Sequence, residues 1–248
     1  MIKTAFILLA LIFATPMIAQ GDINKTDSQG RKQGEWKKKY DNVKVFKYTG
    51  QFKDDKPYGK FTYFRENGTC EAIIHFSNNG KLGRSKMFHT SGYLMARGKY
   101  VNQKKDSIWL YFDDRGTISY QENWENGLQH GQTVYYYQPR EGKLPVARYE
   151  YYEKGVLNGE FKEYHENMKL KIEGNYKDGN LHGMVKHYHP NGKLKKICRY
   201  KYAVKHGFWI FYNEEGKKVG DKLFWEGKYL KGEARKRKVA EMKAADGK

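Results

Sequence analysis

The chain is poor in cysteine, proline, acidic residues and long apolar runs. Its 248 residues include 2 Cys, 5 Pro and 28 Asp plus Glu against 47 Lys plus Arg. Two cysteines exclude a small scaffold stapled by several disulfides. So little proline excludes collagen-like and polyproline chains. Past residue 20 no apolar stretch approaches the roughly 20 residues a membrane-crossing helix needs. No Gly-rich phosphate loop, Gly-x-Ser-x-Gly elbow or paired-carboxylate constellation stands in the sequence, so catalysis is not expected. What the chain does have is 16% aromatic residues, with 21 Tyr, and 26 Gly. Disorder goes with few aromatics, and this loading points to many short strands joined by tight turns.

Residues 1–20 follow the plan of a secretory signal peptide: Lys3, an apolar run from Ala5 to Ala14, and a small-residue end at Ala19. Cleavage and export to the periplasm, the outer envelope or the medium are expected, with 21–29 as a polar lead-in. No cysteine near the end of the run offers a lipid acceptor.

Internal repetition dominates the rest of the chain. Glycines two places ahead of a recurrent position stand at Gly34, Gly59, Gly83, Gly131, Gly159, Gly183 and Gly207, with Ser107 filling the gap in the series. Successive spacings are 25, 24, 24, 24, 28, 24 and 24, which makes eight units of about 24 residues across 30–227. Five places after each anchor come Lys39, Phe64, Phe88, Phe112, Tyr136, Tyr164, Tyr188 and Tyr212, and a second aromatic column runs from Phe52 to Phe224. Within a unit, a segment such as Phe61-Thr62-Tyr63-Phe64 runs into Glu66-Asn67-Gly68 and returns, so each unit reads as a β-hairpin. A lone hairpin is marginal in water, so the units must stack edge to edge. The expected fold is all-β: one elongated, twisted antiparallel sheet of stacked hairpins. Aromatics two and five places past the anchor differ in strand parity, so either both faces carry them or a bulge intervenes.

The run Gly159-Glu160-Phe161-Lys162-Glu163-Tyr164-His165-Glu166-Asn167, closing with Tyr176-Lys177-Asp178-Gly179-Asn180-Leu181-His182-Gly183, resembles the bacterial variant of the MORN repeat, as found in YwqK-family antitoxins. The resemblance covers about residues 30–227 and departs at Ser107, at Met168 where a turn glycine belongs, and at an insertion near Gln138 to Lys143. It implies a ribbon of stacked hairpins used as an interaction scaffold, with lipid binding among the proposed roles.

Other chemistry-bearing residues have ordinary readings. His130, His182 and His206 each precede an anchor, a repeated and hence architectural position. His89, His165, His187 and His189 read as surface polar residues, because two same-face imidazoles without a third ligand make no metal site. Cys70 and Cys198 lie five units apart, too far to bridge, and read as two buried free thiols. Residues 228–248 hold the run Arg235-Lys236-Arg237-Lys238 within a net charge of +19 for the chain. This segment is expected as a solvated basic tail or as a short helix capping the last strand edge, the solvated tail being favoured.

The functional expectation is a non-catalytic, exported scaffold that binds a protein partner at the cell envelope, without cofactor or metal. Candidate contacts are Trp109, Tyr111 and Trp209 as aromatic anchors and Arg235, Lys236, Arg237 and Lys238 as a basic patch. An electrostatic binder of anionic lipid headgroups or acidic polysaccharide is the alternative, and an antitoxin- or immunity-type protein a more distant one. Nucleic acid is not expected as a partner of an exported chain.

Overall fold

Two-residue turns and tip glycines alternate along this chain, so strands fold back on their sequence neighbours and nothing else. The computed structural model describes residues 22–246; the expected signal segment lies outside the described residues. Strand accounts for 62% of it, in a single open antiparallel sheet of 20 strands. In chain order they are β1 (Lys25–Thr26), β2 (Lys32–Lys39), β3 (Phe46–Lys53), β4 (Lys56–Phe64), β5 (Cys70–Ser77), β6 (Leu82–Phe88), β7 (Leu94–Val101), β8 (Lys104–Phe112), β9 (Ile118–Glu125) and β10 (Leu128–Gln129). Next come β11 (Gly131–Tyr136), β12 (Val146–Glu153), β13 (Val156–Tyr164), β14 (Leu170–Lys177), β15 (Asn180–Tyr188), β16 (Leu194–Lys201), β17 (Val204–Lys205), β18 (Gly207–Tyr212), β19 (Lys218–Trp225) and β20 (Lys228–Leu230). The pairs β10/β11 and β17/β18 are single strands interrupted at His130 and His206, so the sheet is a meander from β1 to β20.

Six of the eight units enter through a two-residue turn followed by a kink at the anchor, and the first enters through the longer turn Asp27 to Arg31. At the β3–β4 turn Lys53 pairs with Lys56, and Asp54 and Asp55 both take positive φ, the type I′ geometry that matches strand twist. The register then slips by two residues, from Gln51 opposite Tyr58 to Thr49 opposite Thr62, and Gly59 between them has φ +67. Ser107 holds the same conformation at φ 60, which explains why glycine fills this position elsewhere. Among the anchor glycines Gly83 alone lacks the positive φ. Its ladder runs from Ala72 opposite Met87 to Ser77 opposite Leu82 without a slip, and the turn between has four residues, Asn78 to Lys81. The two residues spent on a kink in the other units lie in the turn here, so the 24-residue period survives.

Both alternatives for the aromatic columns hold together. A bulge recurs on every return strand, as where Tyr63 faces Ala72 but Phe64 faces Cys70. Residues two and five past the anchor nevertheless alternate to opposite faces of their own strand. One face, the packed face, carries Phe61, Trp109, Phe161 and Val185, all at most 5% exposed, with Ser85 and Thr133 at the same position in other units. Bulk alternates with its absence across neighbouring strands: a Cβ on Gly50 would sit 2.4 Å from Phe61, and one on Gly98 2.2 Å from Trp109. Where the strand offers Ile74 instead, the facing residue is Ser85. This matching lets a one-layer sheet bury large rings without a second layer.

The hairpin tips of successive units are joined by side chains. Tyr40 Oη donates to the Phe64 carbonyl at 2.7 Å, Arg65 to that of Phe88, and Tyr137 Oη to that of Tyr164 at 2.7 Å. His89, His165 and His189 place Nε2 at 3.1, 3.1 and 3.2 Å from the carbonyls of Phe112, Tyr188 and Tyr212. A carbonyl only accepts, so Nε2 carries the proton. These three histidines are therefore inter-unit staples rather than surface polar residues, and His189 is buried.

The last fifteen of the described residues form α1 (Gly232–Asp246) rather than the favoured solvated tail. Its Ala, Lys, Arg, Glu and Met content suits a helix, and two cations tie it to the sheet. Arg235 pairs with Asp221 and lies 5.8 Å from the Phe208 ring, while Lys238 Nζ is 3.9 Å from the Trp225 ring. Both cysteines are free thiols; Cys198 is fully buried, as expected, whereas Cys70, expected to be buried as well, is only partly so.

Candidate functional site: a tyrosine ladder on the packed face

Between β8 and β12 the packed face changes character. The four- and thirteen-past positions of successive units become Tyr111, Tyr120 and Tyr135, one ring per strand. Tyr111 and Tyr120 stack with centroids 4.3 Å apart and planes 9° apart, and Tyr120 and Tyr135 continue the stack at 5.7 Å and 27°. All three are half-buried, each with part of its ring open to solvent.

A polar network holds the ladder from beneath. Lys105 lies 4.7 Å from the Trp109 ring, 5.2 Å from Tyr111 and 4.5 Å from Trp124, and donates to Tyr111 Oη at 2.6 Å. Tyr111 Oη donates to Glu122 at 2.5 Å, and Glu122 also accepts from Trp124 Nε1 at 2.9 Å and Gln129 at 2.8 Å. On the far side Glu150, 4% exposed, pairs with Arg148 and accepts from Tyr152 Oη at 3.1 Å. Burial and the neighbouring Glu122 push the Tyr111 phenol far above its ordinary range, and burial pulls Lys105 down. The phenols therefore stay neutral donors. Such rings, rigid and fixed at strand spacing, suit recognition by stacking and hydrogen bonding.

The aromatic and basic candidates fare differently. Trp109 is fully buried over Gly98, its Nε1 donating to the Lys99 carbonyl at 3.1 Å, so it cannot anchor a partner and is a core residue instead. Tyr111 stands in the ladder. Trp209 is half-buried near the other end of the sheet, with Lys205 4.9 Å from its ring. Arg235 and Lys238 are engaged with the sheet, Lys236 pairs with Glu233 at 2.8 Å, and Arg237 is exposed. Six of the seven anchor glycines, Gly34, Gly59, Gly131, Gly159, Gly183 and Gly207, take positive φ. Tyr120, Tyr135, Glu122 and Lys105 were missed by sequence reasoning, although all fall in repeat columns an alignment of the units displays. Among the described residues no three His, Cys, Asp or Glu side chains gather to hold a metal, and no helix is long and apolar enough to cross a membrane.

Residues 157–178 and 181–202, the adjacent units of β13–β14 and β15–β16, match the MORN repeat variant family. No curated protein matches the chain. Among solved structures, TarM is similar over 49% of this chain and 20% of its own, at 17% identity and a TM-score of 0.24. A variant of S. aureus TarM in complex with fondaparinux, alpha-GlcNAc-glycerol and UDP is similar over 47% and 19%, at 18% identity and 0.23. The chain thus spans about a fifth of the length of these structures.

Proposed function

We propose, on the premise that the chain is built of MORN repeats of the variant type, that it is an exported, non-catalytic scaffold holding a protein partner at the cell envelope. The observation that carries this reading is the ladder Tyr111, Tyr120 and Tyr135, half-open and supported by the hydrogen bonds of Lys105, Glu122 and Glu150. Tyrosine rings supply contact area with few rotors to freeze, and they concentrate binding energy. Export rests on the signal-like residues 1–20.

Crosslinked affinity purification with the full chain tests it, at about 0.1 M and about 0.5 M salt, where screening differs strongly. The expected result is one protein in stoichiometric amount at both salts, lost with Tyr120→Ala and Tyr135→Ala. Recovery at low salt only, indifferent to those substitutions, overturns it.

A further inference from the structure

Opposite the packed face, β4 to β7 present two rows of basic side chains that run across the strands. Register fixes the first row as Lys60, His75, Arg84 and Lys99, each opposite the next. The second holds Lys86 opposite Arg97, between Ile73 and Leu110. Lys60, His75, Arg84, Lys86 and Arg97 are all exposed. Neighbouring strands lie about 4.8 Å apart, so Arg84 and Lys99, and Lys86 and Arg97, stand one such step apart, with Lys60 two steps from Arg84 across His75. In the two rows one carboxylate, Asp106, follows Lys99 and pairs with it at 3.0 Å. Around them lies a shallow basin of about 700 Å³, lined by Arg84, Lys86, Arg97 and Lys99 with Ile108 and Leu110 at its rim.

We propose that this surface binds a linear acidic polysaccharide, a chain of uronic acid residues lying across β4 to β7. Five like charges with a single paired acid draw a polyanion by charge complementarity. The geometry selects among polyanions. Strands in a sheet rotate by about 20–25° each, so the rows follow a curved track rather than a plane. A linear chain with one carboxylate per sugar follows that track; a flat headgroup layer meets only part of it. No Phe, Tyr or Trp stands in either row, so single-stranded nucleic acid finds none of the stacking partners such platforms use. The site is distinct from the tyrosine ladder, which lies on the other face, and from the helix, where Arg235 and Lys238 are already engaged.

The test is fluorescence anisotropy of a labelled oligogalacturonate with the full chain, at about 50 mM and about 300 mM salt. Arg84→Gln, Lys86→Gln and Arg97→Gln together are expected to weaken binding by about tenfold or more. Arg84→Lys with Arg97→Lys keeps the charge and is expected to keep the affinity within about threefold. Lys236→Gln with Arg237→Gln, on the helix, is expected to change it by less than about twofold. An unchanged unfolding midpoint verifies that the triple variant is folded. Equal loss in the sheet and helix variants overturns the site in favour of diffuse net charge. Binding of phosphatidylglycerol vesicles or of a single-stranded oligonucleotide as tightly as the oligogalacturonate, with the same dependence on the three side chains, overturns the ligand class. No binding at low salt overturns both.

Discussion

Two regions of the sheet, β4–β7 and β13–β15, share a backbone and differ in charge. On the packed face they agree: Phe61 and Phe161 occupy the same repeat position and are 2% and 5% exposed. On the open face the same columns read Lys60, Arg84, Lys86, Arg97 and Lys99 in one region, and Glu160, Lys162, Glu173 and Lys186 in the other. In the second region the charges cancel, Lys162 pairing with Glu160 at 2.7 Å and Lys186 with Glu173 at 3.0 Å. Stacking needs the packed face and is indifferent to the open one. Charge is therefore free to differ where it does not hold the fold, and an unneutralised stretch there marks binding.

The strongest way to break this comparison is to unmake the shared face. Phe61→Ala and Phe161→Ala are each expected to cost about 3–5 kcal/mol, read as lowered denaturant midpoints. A loss in one region alone would show that the two packed faces are not equivalent. The next is to exchange the open faces. Glu160→Lys with Glu173→Gln, the latter keeping an acceptor for Tyr188, removes both acids beside Lys162 and Lys186. Titration with oligogalacturonate is expected to show a second site, with affinity raised there by about tenfold.

A smaller effect separates the regions by pH. Burial, with Lys196 and Lys195 close by, lowers the His187 pKa from 6.5 to about 4. The unfolded chain takes up its proton near 6.5 and the folded chain refuses it until about 4. The stability contributed by the neutral ring is therefore complete above 6.5 and is lost as pH falls toward 4. The first region carries Tyr63 and Met87 at this position, which do not titrate there. His187→Gln is expected to flatten the fall in thermal midpoint between pH 7 and pH 4.5. It should recover about 1 kcal/mol at the acid end, after allowance for the half-exposed ring. The smallest effect concerns a hairpin tip. Met168 sits at φ 65 where Gly68 and Gly92 stand in the first region. Met168→Gly is expected to stabilise by about half a kcal/mol, relief of strain offset by glycine's extra chain entropy, as measured by urea unfolding.

The repeat made most of the fold legible. Anchor and tip glycines stand where φ is positive, and the aromatic spacing implied stacking in sequence order. The exception at Gly83 was not legible, because moving two residues from kink to turn leaves the 24-residue period intact. Nor was the burial of Trp109: aromatics occupy both faces, and only the empty space over Gly98 tells which ring is covered. The helix anchors, Asp221 and Trp225, act through spatial neighbours that composition does not reveal. The basic rows were countable as net charge, yet Lys60, Arg84 and Lys99 become neighbours only once the register is known.

The claim that binding follows the open face's charge is tested most directly by hydrogen exchange of the intact chain with and without oligogalacturonate. Exchange is expected to slow in peptides spanning residues 59–100 and to stay unchanged in 157–202 and 232–246. Slowing centred on the helix, or spread evenly along the sheet, would contradict it.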